Sequence, residues 1–245
     1  MKIKGINFFQ YIFSTRKTKI ILPYNEIHLW RIDTFFIYDD INKYQTYLSY
    51  DEKSRANRYL SLKKRERFVL IRGILRTILA DYTGIHPHDI KFDYNSAGKP
   101  FLINSYTSNK NLINFNISHS DDQAILAIAC NRDIGIDFEY IKTIDNMNLI
   151  AKFYFSNDEY QIYNDLPLKV KVIAFYLFWT RKEACIKASG KDFSYLLKSF
   201  PELLKPKEKP CFLEHIYHKE EVSKWSFLQF MPSFQSIATL VYSRV

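Results

Sequence analysis

The order of apolar and polar positions predicts strands and helices in two successive sets. IHLWRIDTF (27–35) alternates almost strictly and reads as a strand with one buried face. Ser49 and Glu52 stand three apart, the spacing at which a hydroxyl and a carboxylate cap each other's backbone N–H, so a helix begins there. A longer helix follows Ser61 and stops at Gly84, with Phe68, Ile71, Leu75, Ile78, Leu79 and Tyr82 recurring at helical spacing as its buried face. Arg65, Arg72 and Arg76 fall on another face, expected to be exposed, and Arg55, Arg58 and Arg67 lie elsewhere on the same helical hairpin. The turn NSAGKP (95–100) leads to strand-like runs at 114–118 and 124–129, and IGIDFEYI (134–141) alternates strictly. Ser156 and Glu159 repeat the capping spacing after FYF, and a third major helix runs from about 170 to 189, ending at Gly190. Residues 198–210, rich in Lys and Pro, read as a loop, and 225–230 with 236–243 as a closing antiparallel hairpin. No internal repeat at a fixed period emerges. The two sets, similar in size, predict an α+β chain of two halves, 1–131 and 132–245.

Charge adds a question about partners. The chain has 245 residues and 35 Lys+Arg against 26 Asp+Glu, a net charge of +9. That excess is either a solvated lysine-rich surface or the footprint of an anionic partner: nucleic acid, a phosphorylated small molecule or an acidic protein. No run reaches the roughly 18 apolar residues needed to cross a bilayer, so no membrane partner is expected. The basic start MKIKGINFFQ carries Gln10 inside its apolar stretch, with no small-residue cleavage site after it, and is not read as a signal peptide. Three cysteines, far apart and odd in number, exclude a disulfide scaffold and point to a reducing, cytoplasmic compartment.

Four constellations carry candidate chemistry. Asp137 and Glu139 lie two apart on a strand and so share one face, while Ile136, Phe138 and Tyr140 take the other. Such a pair is either solvated or gathered on a hard divalent cation such as Mg²⁺. Glu183 and Lys187, i and i+4 in FWTRKEACIKASG, share a helix face with Trp179 above them. They form either a surface ion pair, worth about 0.3–0.5 kcal/mol, or a third carboxylate for the cation and a phosphate partner. Lys182 points about 100° away on an ideal helix and is expected to contact something different. NISHS (116–120) presents Ser118 and His119 at a strand end, and Gly98-Lys99-Pro100 is a tight turn bearing a lysine. His86, His88, His215 and His218 lack a nearby cysteine pair, and no GxGxxG, GxxxxGK[ST] or GxSxG occurs. Any nucleotide site has to be built from side chains.

Taken in order, GKP, FNISHS, GIDFE and WTRKEACIKASG resemble the motifs of the 4′-phosphopantetheinyl transferases, of the long surfactin-synthetase-activator type. IHLWRID, the arginine-bearing stretch 52–80 and FYFSNDEY (153–160) extend the resemblance over about residues 26 to 190. The resemblance implies two similar subdomains related by a pseudo-twofold axis, each a small antiparallel sheet with packed helices, with coenzyme A in the cleft between them. It implies transfer of the phosphopantetheine arm to a serine of an acidic acyl or peptidyl carrier protein, release of 3′,5′-ADP, and a monomer. Carried over by motif, Asp137, Glu139 and Glu183 hold Mg²⁺ (or Mn²⁺), Glu183 also activates the serine, and Lys187 contacts the phosphates. Lys99, Ser118 and His119 match contacts to the adenine and 3′-phosphate, and Arg55, Arg58 and Arg67 match basic 3′-phosphate contacts. Phe138 stands where an aliphatic residue is common, a change expected to affect packing alone; Asp192 stands where glycine is common. Residues 1–24 precede the usual start.

Two other classes compete at this stage. A Mg²⁺-dependent nuclease often sets an acid beside an ExK pair on adjacent strands, whereas Glu183 and Lys187 lie four apart on a helix. A non-catalytic RNA-binding module calls for exposed aromatics on a basic sheet face.

Overall fold

The computed structural model describes residues 5–11, 19–103, 112–191, 218–222 and 225–244, with 218–222 as backbone only. The chain forms two compact units: Met1–Phe115 with Asp121–Asn131, and Asn116–Ser120 with Arg132–Val245.

The first unit contains β1 (Ile6–Gln10), β2 (Ile27–Asp33), α1 (Ile41–Tyr47), α2 (Tyr50–Asn57), α3 (Leu62–Thr83), β3 (Phe92–Tyr94), β4 (Pro100–Leu102), the start of β5 (Ile113–Ser120) and β6 (Gln123–Cys130). Strand order is β1-β2-β6-β5, with β1 parallel and β6 antiparallel to β2. The leading segment, given no role from the sequence, thus supplies an edge strand, whose Phe9 stacks on Trp30. The predicted cap is present: Ser49 Oγ accepts from the Glu52 N–H, and Glu52 accepts from the Ser49 N–H at 2.9 Å. Gly84 ends α3 at φ +76°, a conformation that suits glycine. Ile71, Leu75, Ile78, Leu79 and Tyr82 of the predicted face are buried.

One expectation fails on α3. Arg76 is not on an exposed face; it is 1% exposed. Its Nε donates to Glu52 Oε2 at 2.8 Å, and its Nη1 donates to the carbonyls of Pro87 and Ile90 at 2.9 and 2.8 Å. Arg72 pairs with the other Glu52 oxygen. A buried guanidinium is tolerated where its donors are met by a carboxylate and carbonyls. Glu52 therefore caps α2 and neutralises α3 at once.

The second unit contains the end of β5, then β7 (Ile134–Tyr140), α4 (Met147–Tyr154), α5 (Asn157–Asp165), α6 (Leu168–Ser189), β8 (His218–Val222), β9 (Trp225–Ser233) and β10 (Ser236–Ser243). The order is β7-β10-β9-β8, antiparallel throughout, and β9 with β10 is the expected closing hairpin. Phe155, Tyr163, Phe175 and Phe178 build its aromatic core against α4 and α5. Phe138 is fully buried and meets Tyr140 edge to face at 5.7 Å, a packing role. The loop 198–210, Asp192, Cys211 and His215 lie outside the described residues.

The units repeat one plan, visible in the structure rather than as a short period in the sequence. Ile27 and Ile134 open seven-residue strands 107 positions apart, and the capping pairs Ser49/Glu52 and Ser156/Glu159 stand at the same separation. A 22-residue helix follows each, closed by a left-handed glycine, Gly84 or Gly190. The capping glutamate then pairs with a base at the fifteenth position of that helix, Arg76 in one unit and Lys182 in the other. The matching residues are few and scattered over more than fifty positions in each unit, so they set up no short period; the base that pairs with the capping glutamate even differs in type, Arg76 against Lys182.

Candidate active site

Strand β7 is an edge of its sheet, so alternate N–H groups have no strand partner on the open side. Side chains of β5 supply one. Asn116 Oδ1 accepts from Ile136 N at 2.8 Å, Ser118 Oγ from Phe138 N at 3.2 Å and Ser120 Oγ from Tyr140 N at 3.2 Å. Residues at i, i+2 and i+4 of a strand point the same way, so the N-x-S-x-S spacing reproduces the pitch of a strand's carbonyls. Having accepted from the backbone, each serine donates its own proton to an acid. Ser118 bonds Asp137 Oδ1 at 3.0 Å and Ser120 bonds Glu139 Oε2 at 2.8 Å. Ser118 is therefore buried rather than exposed at a strand end, while His119, in the opposite phase, is exposed.

Gly135 sets how close α6 comes to this strand. A Cβ at 135 would stand 2.2 Å from Ala184 O and 2.3 Å from Ala188 N, well inside van der Waals contact. The missing side chain brings Lys187 down onto Asp137, with Nζ 2.6 Å from Oδ1 and 3.1 Å from Ser118 Oγ. Lys187 thus pairs with a 3% exposed acid on another element, not with Glu183 one turn away. Lys182, as expected, goes elsewhere: it pairs with Glu159 at 2.8 Å, both essentially buried, and ties α6 to α5.

The electrostatics mark this site as short of positive charge. Burial, then the charge of Asp137, pushes Glu139 up to about 7, against the smaller opposing effects of Ser120 and Lys187. Burial, then Asp137, also raises Glu183, with Lys187 opposing. Asp137 Oδ2 is buried without a hydrogen-bond partner. An orphaned carboxylate oxygen beside two acids that resist ionisation is a donor set suited to a hard cation. Among the described residues, no three His, Cys, Asp or Glu side chains stand close enough to enclose an ion as they are, and the ammonium of Lys187 is the nearest counter-charge to Asp137.

The other predicted residues belong to the first unit. A cavity of about 1490 Å³ is lined there by Arg55, Arg58, Tyr59, Phe68, Arg72 and Tyr94 among others. Arg55 lies over the Phe68 ring at 5.4 Å, and Arg72 over Phe92 at 4.2 Å. Gly98 and Pro100 also line the cavity, so Lys99 sits between two lining residues. Its turn is locked by Asn95 Oδ1, which accepts from the Ala97 and Lys99 N–H groups at 3.0 and 2.9 Å. Arg67 stands apart from this group, donating through Nε and Nη2 to Asp122 Oδ1 at 3.1 and 2.7 Å.

Sequence reasoning did not single out Asn116, Ser120 or Gly135. The signals were present: three polar side chains in alternation, and a glycine two residues before the first acid.

The 4′-phosphopantetheinyl transferase superfamily matches residues 133–239, and the 4′-phosphopantetheinyl transferase N-terminal family matches residues 37–131. The chain is 35% identical over 231 residues to the 4′-phosphopantetheinyl transferase HetI of Nostoc sp., covering 94% of this chain and 93% of that one. The chain belongs to the 4′-phosphopantetheinyl transferase family. It is also 34% identical over 176 residues to a 4′-phosphopantetheinyl transferase of Bacillus subtilis (66% of this chain, 72% of that one). To 4′-phosphopantetheinyl transferase Sfp of Bacillus subtilis strain 168 it is 35% identical over 130 residues, about half of each chain. Membership makes the protein an enzyme of this transferase class, and the nuclease and RNA-binding readings give way to it. No helix among the described residues is long and apolar enough to cross a membrane.

Proposed function

We propose that this phosphopantetheinyl transferase takes the 4′-phosphopantetheine arm from coenzyme A, places it on a serine of an acidic acyl or peptidyl carrier protein and releases 3′,5′-ADP. The observation that carries the reading is the half-buried polar site of the second unit, where Asp137, Glu139, Glu183 and Lys187 act on one another.

Asp137, Glu139 and Glu183 are the residues that would hold Mg²⁺. When bound, the ion would supply positive charge that offsets the anionic oxygens of the pyrophosphate and so opens its phosphorus to attack. Lys187 contributes a second, mobile positive charge toward the phosphate that leaves. Glu183, whose raised proton affinity moves it toward working pH, accepts the proton of the incoming serine. Ser118 and Ser120 orient the two strand acids, so little reorganisation is required during reaction. For the first unit we assign Arg55, Arg58 and Lys99 to the coenzyme, with His119 from the second; Arg67 is committed to Asp122, and the Ser118 hydroxyl to Asp137, Lys187 and the Phe138 N–H. The functional halves are taken as 1–131 and 132–245, except that 116–120 of β5 goes with the second.

The carrier docks, in this reading, on α4, which leaves Leu149 and Phe153 51% and 73% exposed beside Lys152. The net charge of +9 favours encounter with an acidic partner. The enzyme acts as a cytoplasmic monomer, without nucleic acid or membrane. Incubation with coenzyme A, Mg²⁺ and a panel of apo carrier proteins tests the whole. Mass spectrometry is expected to show one phosphopantetheine added to at least one carrier, and no addition across the panel would overturn it.

A further inference from the structure

We propose that Lys187 is a built-in counter-ion for Asp137 that exchanges with a divalent cation, so that the lysine becomes available to phosphate only as the cation is taken up. The inference rests on the reading of Asp137 as an ion ligand and adds an order of events to it.

Lys187 Nζ lies 2.6 Å from Asp137 Oδ1 and 3.1 Å from Ser118 Oγ, and Ser118 donates to the same Oδ1 at 3.0 Å. One carboxylate oxygen is thus shared by an ammonium and a hydroxyl, while the other is buried without a partner. The burial of Asp137 makes a counter-charge necessary: a carboxylate with only 4% of its side chain exposed is costly without one. Lys187 differs in that its side chain is 28% exposed. A flexible four-carbon stem with that much solvent access can leave Asp137 without moving α6. The other buried base of the same helix has no such freedom, because Lys182 and Glu159 are 2% and 0% exposed.

An ammonium and a dication drawn to the same carboxylate repel each other at short range, so the two occupancies compete. A competitor tethered to the protein is always present and lowers affinity for the free ion by the fraction of time it occupies the carboxylate. Lys187 is therefore withheld from phosphate in the resting enzyme, and the cation that prepares the acids also frees the lysine. A neighbouring charge commonly moves an ionisation equilibrium by one to three powers of ten, so removing this one should tighten cation binding about tenfold or more.

The experiment is calorimetric titration of the coenzyme-free protein with MgCl₂, comparing wild type with Lys187→Met, Lys187→Gln, Lys187→Arg and Asp137→Asn. Expected are about tenfold or tighter Mg²⁺ binding in the Met and Gln variants, near wild-type binding in the Arg variant, and loss of binding in Asp137→Asn. A second measurement needs no variant: the ¹⁵Nζ resonance of Lys187 in wild type should shift as Mg²⁺ is added. Unchanged or weaker affinity in the Met and Gln variants, with binding still lost in Asp137→Asn, overturns the exchange and leaves the metal reading standing. Absence of Mg²⁺ binding in every protein, or binding indifferent to Asp137→Asn, overturns both.

Discussion

The Ser120 hydroxyl donates to Glu139 Oε2 at 2.8 Å while accepting from the Tyr140 N–H at 3.2 Å. One side chain thus closes the open edge of β7 and orients an acid. Ser118 does the same for Phe138 and Asp137. Ser120→Ala removes the acceptor of a half-buried N–H and the donor to a half-buried carboxylate, each at the low end of the roughly 1–3 kcal/mol that an unmet buried group costs. Ser120→Ala should therefore lower stability in a denaturant melt and reduce transfer. Unchanged Tm and kcat would show that water replaces both bonds.

Glu139 gives the site a pH signature. Its carboxyl is raised to about 7 in the fold from an ordinary 4.5, so the native state keeps a proton that the unfolded chain has released between those values. This group's contribution to stability is complete at the acidic end of the window and is lost as pH rises toward about 7. The metal-free protein should melt progressively lower across that interval. Mg²⁺ should flatten the trend, and Glu139→Gln should abolish this part of it. An identical slope in Glu139→Gln would assign the effect to another group.

Gly135→Ala tests the close approach of α6. The added methyl meets backbone atoms at 2.2 and 2.3 Å, which cannot rotate aside. Overpacking of this kind costs about 1–3 kcal/mol or more. We expect a lower denaturation midpoint and loss of transfer, because α6 carries both Glu183 and Lys187. Near wild-type stability and activity would mean that β7 and α6 separate cheaply.

Asp137→Ala should abolish measurable transfer, a fall of at least about a hundredfold for lost charge stabilisation, with the fold retained. Lys187, partly exposed, can then turn to water. Circular dichroism checks the fold and carrier modification checks the rate. Activity that survives with unaltered Mg²⁺ dependence would remove Asp137 from the metal set.

Glu159→Ala should destabilise by about 3–5 kcal/mol, since it strands the buried ammonium of Lys182. The double variant Glu159→Leu with Lys182→Met should recover most of that loss. If the double variant is as unstable as the single, the pair is required for more than mutual neutralisation.

Much of the secondary structure was legible because it depends on local chemistry. The capping pairs at Ser49 and Ser156, the stops at Gly84 and Gly190 and the alternation in 134–140 each follow from neighbours in sequence. The acids Asp137 and Glu139 were legible as a pair for the same reason. The partner of Lys187 was not, since i,i+4 spacing pointed to Glu183 and the packing of α6 on β7 chose Asp137. Arg76 was misplaced because periodicity ranks residues by polarity and cannot see a carboxylate 24 positions earlier.

The sequence alone determined where the capped and glycine-closed helices begin and end, which residues share a strand or helix face, and, through four ordered motifs, the family; it did not mark β1, α1 or α4. These are short-range properties, written in spacing. The tertiary structure decided which charges neutralise one another, which polar side chains stand in for a missing strand, and which glycine admits a helix to the site. Those outcomes depend on burial, which sets the cost of every unpaired charge and is a property of the packed chain rather than of any segment.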